Sequence, residues 1–178
     1  MIILETDRLL LRHLVPDDLD DLYALYSDPE MRRYFPVEGA SPDRTLTREE
    51  TWEELEWFLN GHPKHPELGL WATVLKENGA FIGRCGLLPW TIEGQDEVEV
   101  AYMIDKRYWR RGLATEAARG IRDYAYGQLG LSRLICMIDG QNAASIGVAE
   151  AIGMTFEKEV VDEHGPYLIY SMTKPASP

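Results

Sequence analysis

Lys106-Arg107-Tyr108-Trp109-Arg110-Arg111-Gly112-Leu113-Ala114-Thr115-Glu116-Ala117 decides the reading of this chain. The segment joins a strand pattern to a helix pattern, and it is basic where the rest is acidic. Upstream, Val98 to Ile104 alternates, with Val98, Val100, Tyr102 and Ile104 on one face and Glu99, Ala101 and Met103 on the other. Downstream, Leu113, Ala117, Ile121 and Tyr124 recur at helical spacing. The first turn of a helix leaves about four backbone N–H groups without intrahelical partners and carries partial positive charge, so it can hold an anion. Gly112 leaves the backbone bare where a phosphate would approach. Lys106, Arg107, Arg110 and Arg111 stand against a net charge of −12, from 18 Lys and Arg and 30 Asp and Glu. The same residues also fit a plain basic loop ahead of a helix-starting glycine, and charge and glycine alone do not separate the two.

Working outward, Ala80 to Leu88 and Leu68 to Leu75 are strand-like runs joined by Lys76-Glu77-Asn78-Gly79, and Asn-Gly predicts a hairpin. A polar loop is expected between Leu88 and Val98. Toward the N-terminus, Ile3 to His13 reads as one strand. Pro16 opens a helix whose Leu19, Leu22, Tyr23 and Tyr26 form one stripe, with Asp17, Asp18, Asp20 and Asp21 favouring its positive end. Asp28-Pro29-Glu30 is a cap followed by proline at the first helical position. Residues 37–44 read as loop, and Thr47 with Glu50 forms a capping box before Trp52, Leu55, Phe58 and Leu59. Toward the C-terminus come a strand at 133–138, a helix at 143–152, a strand at 154–161 and a last strand at 167–173. Seven strands in this order, with few βαβ crossovers, predict a mixed α/β (α+β) domain rather than a doubly wound parallel sheet.

A length of 178 residues favours one domain spanning 1–178, and 45% hydrophobic with 27% charged residues excludes disorder as the main state. No apolar run approaches the ~20 residues that span a bilayer. Met1 to Leu4 is followed at once by Glu5, Asp7 and Arg8, which is no secretion signal, so a cytoplasmic location is expected. The acidic balance argues against nucleic acid and membrane surfaces as partners and would attract a cationic substrate. Cys85 and Cys136 each stand alone in apolar runs and read as reduced core residues. His62 and His65 lie three apart among prolines, a poor metal site, and none is expected.

Residues 107–117, followed by Asn142-Ala143-Ala144-Ser145 and the segment up to Met154, resemble the acetyl-CoA signature of the GNAT N-acetyltransferase superfamily. The Trp-x-x-Gly-x-Ala-Thr-Glu-Ala form is most similar to its RimJ/RimL-like branch. The resemblance is close over residues 98–154, and the first 60 residues match only in layout. It implies a mostly antiparallel GNAT-like sheet of about seven strands with helices on both faces. It also implies acetyl-CoA as cosubstrate and transfer to a primary amine by direct attack in a ternary complex, without a metal or a covalent acyl-enzyme. In such a fold the strand before the motif splays from the next and pairs with the pantetheine arm. That assigns pantetheine contacts to Met103 and Ile104, and the diphosphate to Trp109, Arg110, Arg111, Gly112, Leu113, Ala114 and Thr115. Trp109 stands where many members carry Gln or Arg.

Asn142 is implied to touch the cofactor arm, though Asn and Ser are also good helix caps at that place. The tyrosine that protonates the leaving thiolate in many members would fall at Ala149, so Ser145 substitutes. The branch's strand carboxylate falls at Glu99, the implied base; from alternation alone Glu99 reads as a solvated face residue, and Glu97 competes with it. Tyr34, Phe35 and Trp90 could line an acceptor pocket, while Trp52 and Trp57 read as core or interface. The acceptor, a small-molecule amine or a protein N-terminus, is left open, as is a homodimer. A catalytically silent acyl-CoA-binding module is the rival reading.

Overall fold

In a computed structural model, residues 1–35, 44–162 and 165–175 are described, so most of the loop expected at 37–44 lies outside the described residues. The centre of the sheet is built by strands β3 (Gly69–Leu75), β4 (Ala80–Ile92) and β5 (Gln95–Ile104). The expected polar loop after Leu88 is instead a continuation of one long hairpin. Glu93 and Gly94 turn the chain with φ of 50° and 80°, and Ile92 pairs directly with Gln95. Polar side chains on 91–97 do not oppose a strand here, because this end of the hairpin is largely exposed.

The predicted first strand is two, β1 (Ile2–Glu5) and β2 (Leu9–His13), because the chain reverses at Thr6–Arg8. With β6 (Arg133–Ile138), β7 (Thr155–Asp162) and β8 (Gly165–Thr173) the count becomes eight. Their order is β1-β2-β3-β4-β5-β6-β8-β7, and every neighbouring pair is antiparallel except β5 and β6.

One face carries α1 (Leu19–Tyr26), α2 (Pro29–Arg32) and α3 (Arg48–Phe58). A 3-10 turn, Pro16–Asp18, precedes α1, and Asp18 is used by Arg12, both of whose Nη atoms donate to it at 2.7 Å. Asp28 caps α2, and Thr47 with Glu50 closes a capping box on α3. The other face carries α4 (Leu113–Gly127) and α5 (Ala143–Ala151). The alternation read in β5 holds: Val100 and Ile104 join Leu113, Ala117 and Ile121 in one core, while Ala101 and Met103 join Leu22, Tyr26 and Leu55 in the other. Each fully buried Leu or Ile stabilises by ~1.5–3 kcal/mol, so a one-residue slip of β5 would expose two cores at once. Cys85 and Cys136 are free and buried, and burial pushes the Cys85 thiol up to about 11. Trp57, read as core or interface, is 55% exposed. Among the described residues no helix is long and apolar enough to cross a membrane.

Candidate active site

Strands β5 and β6 run parallel and share a single paired position, Glu99 opposite Ile135. Beyond it they part, and among the described residues the backbone of β5 on that side pairs with no further strand. The Asp105 N–H donates to the Ile82 carbonyl at 2.8 Å, and a Cβ at Gly83 would lie 2.1 Å from the Met103 carbonyl oxygen. Odd-numbered residues at this end therefore turn their backbone groups toward β4, and strand alternation turns those of Tyr102 and Ile104 toward the gap. The expectation of a backbone contact from Met103 shifts to Tyr102, because Met103 also buries its side chain among α1 and α3. The Ile104 carbonyl already accepts from Trp109 Nε1 at 2.6 Å, so the indole pins the loop to the strand end.

That loop turns sharply at Arg110 (φ 60°) and Gly112 (φ 73°) before α4 begins. A non-glycine residue in the left-handed region is uncommon and marks a constrained turn. Among the described residues, the N–H groups of Arg110, Arg111, Gly112, Leu113, Ala114 and Thr115 find no partner, and the first bond of the helix is Glu116 N–H to the Gly112 carbonyl at 3.0 Å. Such a cluster of amides, at the positive end of a helix, suits a diphosphate. The four cations are not equivalent. Lys106 is held by Asp28 at 2.6 Å and Glu30 at 3.1 Å, and Arg107 by Asp105 at 2.6 Å. Arg111 stacks over Tyr108 and Arg110 has no ion pair among the described residues, so these two supply the local positive charge. Glu116 locks the helix start to the β1–β2 turn, accepting from Thr6 Oγ1 (2.5 Å), the Arg8 N–H (2.8 Å) and Arg8 Nε (2.6 Å).

Across the gap, Asn142 caps α5, its Oδ1 accepting from the Ser145 N–H at 3.1 Å. The Ser145 carbonyl accepts from Tyr102 Oη at 2.9 Å, which brings the phenol against the first turn of α5. Ala149, where a tyrosine would stand, is fully buried.

Glu99 sits where β5 and β6 part. Trp90 Nε1 donates to its Oε2 at 2.7 Å, a diagonal contact across the hairpin. Burial pushes the Glu99 carboxyl above the usual carboxylate range; the Trp90 bond, the Met137 backbone and the Arg84 charge offset this only in part. Glu97 is in a different position: Arg133 Nε donates to both its oxygens at 3.0 Å, while Arg133 Nη2 donates to Glu157 at 2.9 Å. Tyr34 reaches the connection between β6 and α5, its hydroxyl donating to the Gln141 carbonyl at 3.4 Å. Glu99 and Trp90 are thus brought together, Asn142 and Ser145 lie on the opposite wall, and the loop amides stand at the far end of β5. Among the described residues no group of three or more His, Cys, Asp or Glu could hold a metal ion.

Two groups escaped the sequence reading. Alternation puts Tyr102 on one face with Val98, Val100 and Ile104, which says nothing about where a phenol points. Arg84 lies inside the apolar run Ala80–Leu88, and that anomaly was the available signal. It is buried (6% exposed), donates from Nε to Tyr26 Oη at 2.6 Å, and shares that hydroxyl with Glu54.

Residues 8–155 match a family model described as an acetyltransferase (GNAT) domain. The chain is 35% identical over 168 residues to the protein YkkB of Bacillus subtilis, covering 94% of this chain and 93% of that one. It is 28% identical to the uncharacterized N-acetyltransferase YoaA of the same organism, covering 97% of each. Among solved structures, RimL, a ribosomal L7/L12 α-N-protein acetyltransferase in complex with coenzyme A, superposes with a TM-score of 0.79 at 14% identity, covering 99% of this chain and all of that one. At that identity the likeness speaks for the fold.

Proposed function

The chain belongs to the GNAT acetyltransferase family and is an acetyl-CoA-dependent acetyltransferase, and from that premise we propose that it acetylates a primary amine with Glu99 as the base. The observation that carries this reading is the place of Glu99, at the residue where β5 and β6 separate and under the Trp90 indole. The opened edge at Tyr102 and Ile104 suits the amide groups of a pantetheine arm, and the six unpartnered amides of 110–115 suit the diphosphate. The acceptor then meets the thioester from the face of α1 and α2, between Trp90 and Tyr34.

An ammonium cannot attack a carbonyl, so the amine must first lose a proton. At pH 7 an α-amine of pKa ~8 is about one-tenth neutral, whereas a lysine-type amine of pKa ~10.4 is neutral only a few times in ten thousand. Glu99 accepts that proton, directly or through water, and its raised pKa brings its basicity closer to that of the amine. The amine nitrogen bonds to the acetyl carbon, the carbon–sulfur bond breaks, and the thiolate leaves. Ser145 and Tyr102 are the hydroxyl groups on the opposite wall from which that sulfur could draw a proton, Tyr102 with its phenol held protonated by burial.

The test is thiol release from acetyl-CoA over a panel of α-amines, polyamines and lysine-like amines, with Glu99→Gln beside the wild type. A loss of about 10²-fold in kcat/KM with acetyl-CoA affinity retained supports the assignment. Binding of acetyl-CoA without turnover of any amine would instead favour a silent module.

A further inference from the structure

On the acceptor side of β4, two arginines share one aromatic ring. The guanidinium carbons of Arg32 and Arg84 each lie 5.5 Å from the centre of the Tyr26 ring, and Arg84 also stacks on Phe35 at 5.6 Å. Both are 6% exposed. Arg84 is provided for by Tyr26 Oη at 2.6 Å and by Glu54, 3.9 Å away. Arg32 is not: its Nε is buried without a hydrogen-bond partner, and among the described residues no carboxylate lies within 4 Å of it. Among the described residues Glu54 therefore faces two guanidinium groups, which leaves one positive charge without an anion of its own. Burying an unpaired charge is costly, and proximity of a second like charge adds to the cost. Burial and the neighbouring Arg84 both lower the Arg32 pKa, which is the signature of a cation short of an anion.

The location ties this excess charge to the reaction. Arg84 pairs with Met103, four residues along β5 from Glu99, a span of ~13 Å that the two long side chains partly bridge. Arg84 acts electrostatically on Glu99, and Tyr34 and Phe35 follow Arg32 directly in the chain. Amine site and arginine pair thus belong to one side of the sheet.

We propose that Arg32, with Arg84 behind it, forms an anion subsite, so that the acceptor carries a carboxylate several bonds from the amine that is acetylated. The subsite rests on the acetyl-transfer reading above. It also resolves the charge balance of the face: a carboxylate docked on Arg32 brings two cations and two anions together, while the acidic exterior and Glu99 favour the amine end. A planar carboxylate matches the guanidinium fork better than any neutral group can.

The experiment uses matched acceptors, 6-aminohexanoate against 6-aminohexanamide and glycylglycine against glycylglycinamide, followed by thiol release. The carboxylate member of at least one pair should show a kcat/KM tenfold or more above its amide, and Arg32→Gln should bring that ratio to about one without weakening acetyl-CoA binding. A wild-type ratio of one or below in both pairs, or a ratio that survives Arg32→Gln, overturns the subsite. Turnover of the amides that depends on Glu99 but ignores the carboxylate leaves the acetyl-transfer reading standing while the subsite falls. A readout independent of turnover covers the case in which no acceptor reacts. Glutarate should raise the melting temperature of the wild-type protein but not of Arg32→Met, and Arg32→Met should itself melt above the wild type, since it removes a buried charge while keeping an apolar side chain of useful length. Equal responses to glutarate, or an Arg32→Met protein that melts lower, overturns the proposal.

Discussion

Replacing Gly112 separates backbone geometry from charge at the proposed diphosphate site. Gly112 holds φ 73° and ψ 9° as the residue before α4, where an L side chain costs ~1–2 kcal/mol. Space is not limiting: a Cβ there would meet only Arg8 Nη2, at an ordinary 3.8 Å. Gly112→Ala and Gly112→Glu should therefore lose similar stability, a fall of ~2–8 °C in Tm for a chain of this size. Affinity should not be shared in that way. One carboxylate ~8 Å from a phosphate charge at an effective dielectric near 20 is worth ~2 kcal/mol of repulsion, reduced by salt. Gly112→Glu should weaken CoA at least tenfold, or ~1.4 kcal/mol, while Gly112→Ala weakens it by less than about threefold. Calorimetric titration with CoA, with melting curves on the same samples, gives both quantities. Unchanged affinity in a folded Gly112→Glu would remove the diphosphate from this loop, and equal losses in the two variants would refute the electrostatic argument.

Trp90→Phe removes the donor that favours the ionised form of Glu99. The carboxyl pKa, already raised by burial, should rise further, and the acid limb of the kcat/KM profile should move to higher pH; a limb that stays or moves down separates Trp90 from the base. For Glu116, burial pushes the carboxyl up, but bonds from Thr6 and from the Arg8 backbone and guanidinium outweigh it and hold the pKa below the usual value. Its stabilisation is present above the unfolded carboxylate pKa of ~4.3 and is lost as pH falls through the lowered folded value. Glu116→Gln should cost ~1–2 kcal/mol at pH 7, and the Tm gap to wild type should close in acid; a gap independent of pH would show that packing, not charge, carries the contact.

Much of the fold was legible because local chemistry and global pattern agree. The capping residues Asp28 and Thr47, the Asn-Gly turn and the two faces of β5 are set by neighbours a few residues away, so period and turn chemistry suffice to read them. The turn at Gly112 into α4 was legible for the same reason, since a strand, a glycine and a helix start follow one another in the chain. Misreadings arose where distant partners decide. Lys106 counts toward a basic loop in the sequence, but Asp28 and Glu30, more than 70 residues away in the chain, pair with it in the fold, and 91–97 reads as a loop because an exposed hairpin end carries no apolar alternation. Which edge of β5 opens, and therefore that Tyr102 rather than Met103 faces the gap, depends on hydrogen bonds to β4. The burial that raises the Glu99 pKa, the ion pair that occupies Glu97, and the lack of a hydrogen-bond partner for Arg32 Nε among the described residues depend on side chains gathered from β4, β6, α2 and α3. Sequence alone determined most of the elements and the glycine turn ahead of α4, which are local; tertiary structure alone decided the protonation and pairing of the charged groups, because desolvation and Coulomb energy are set by what surrounds a group in space.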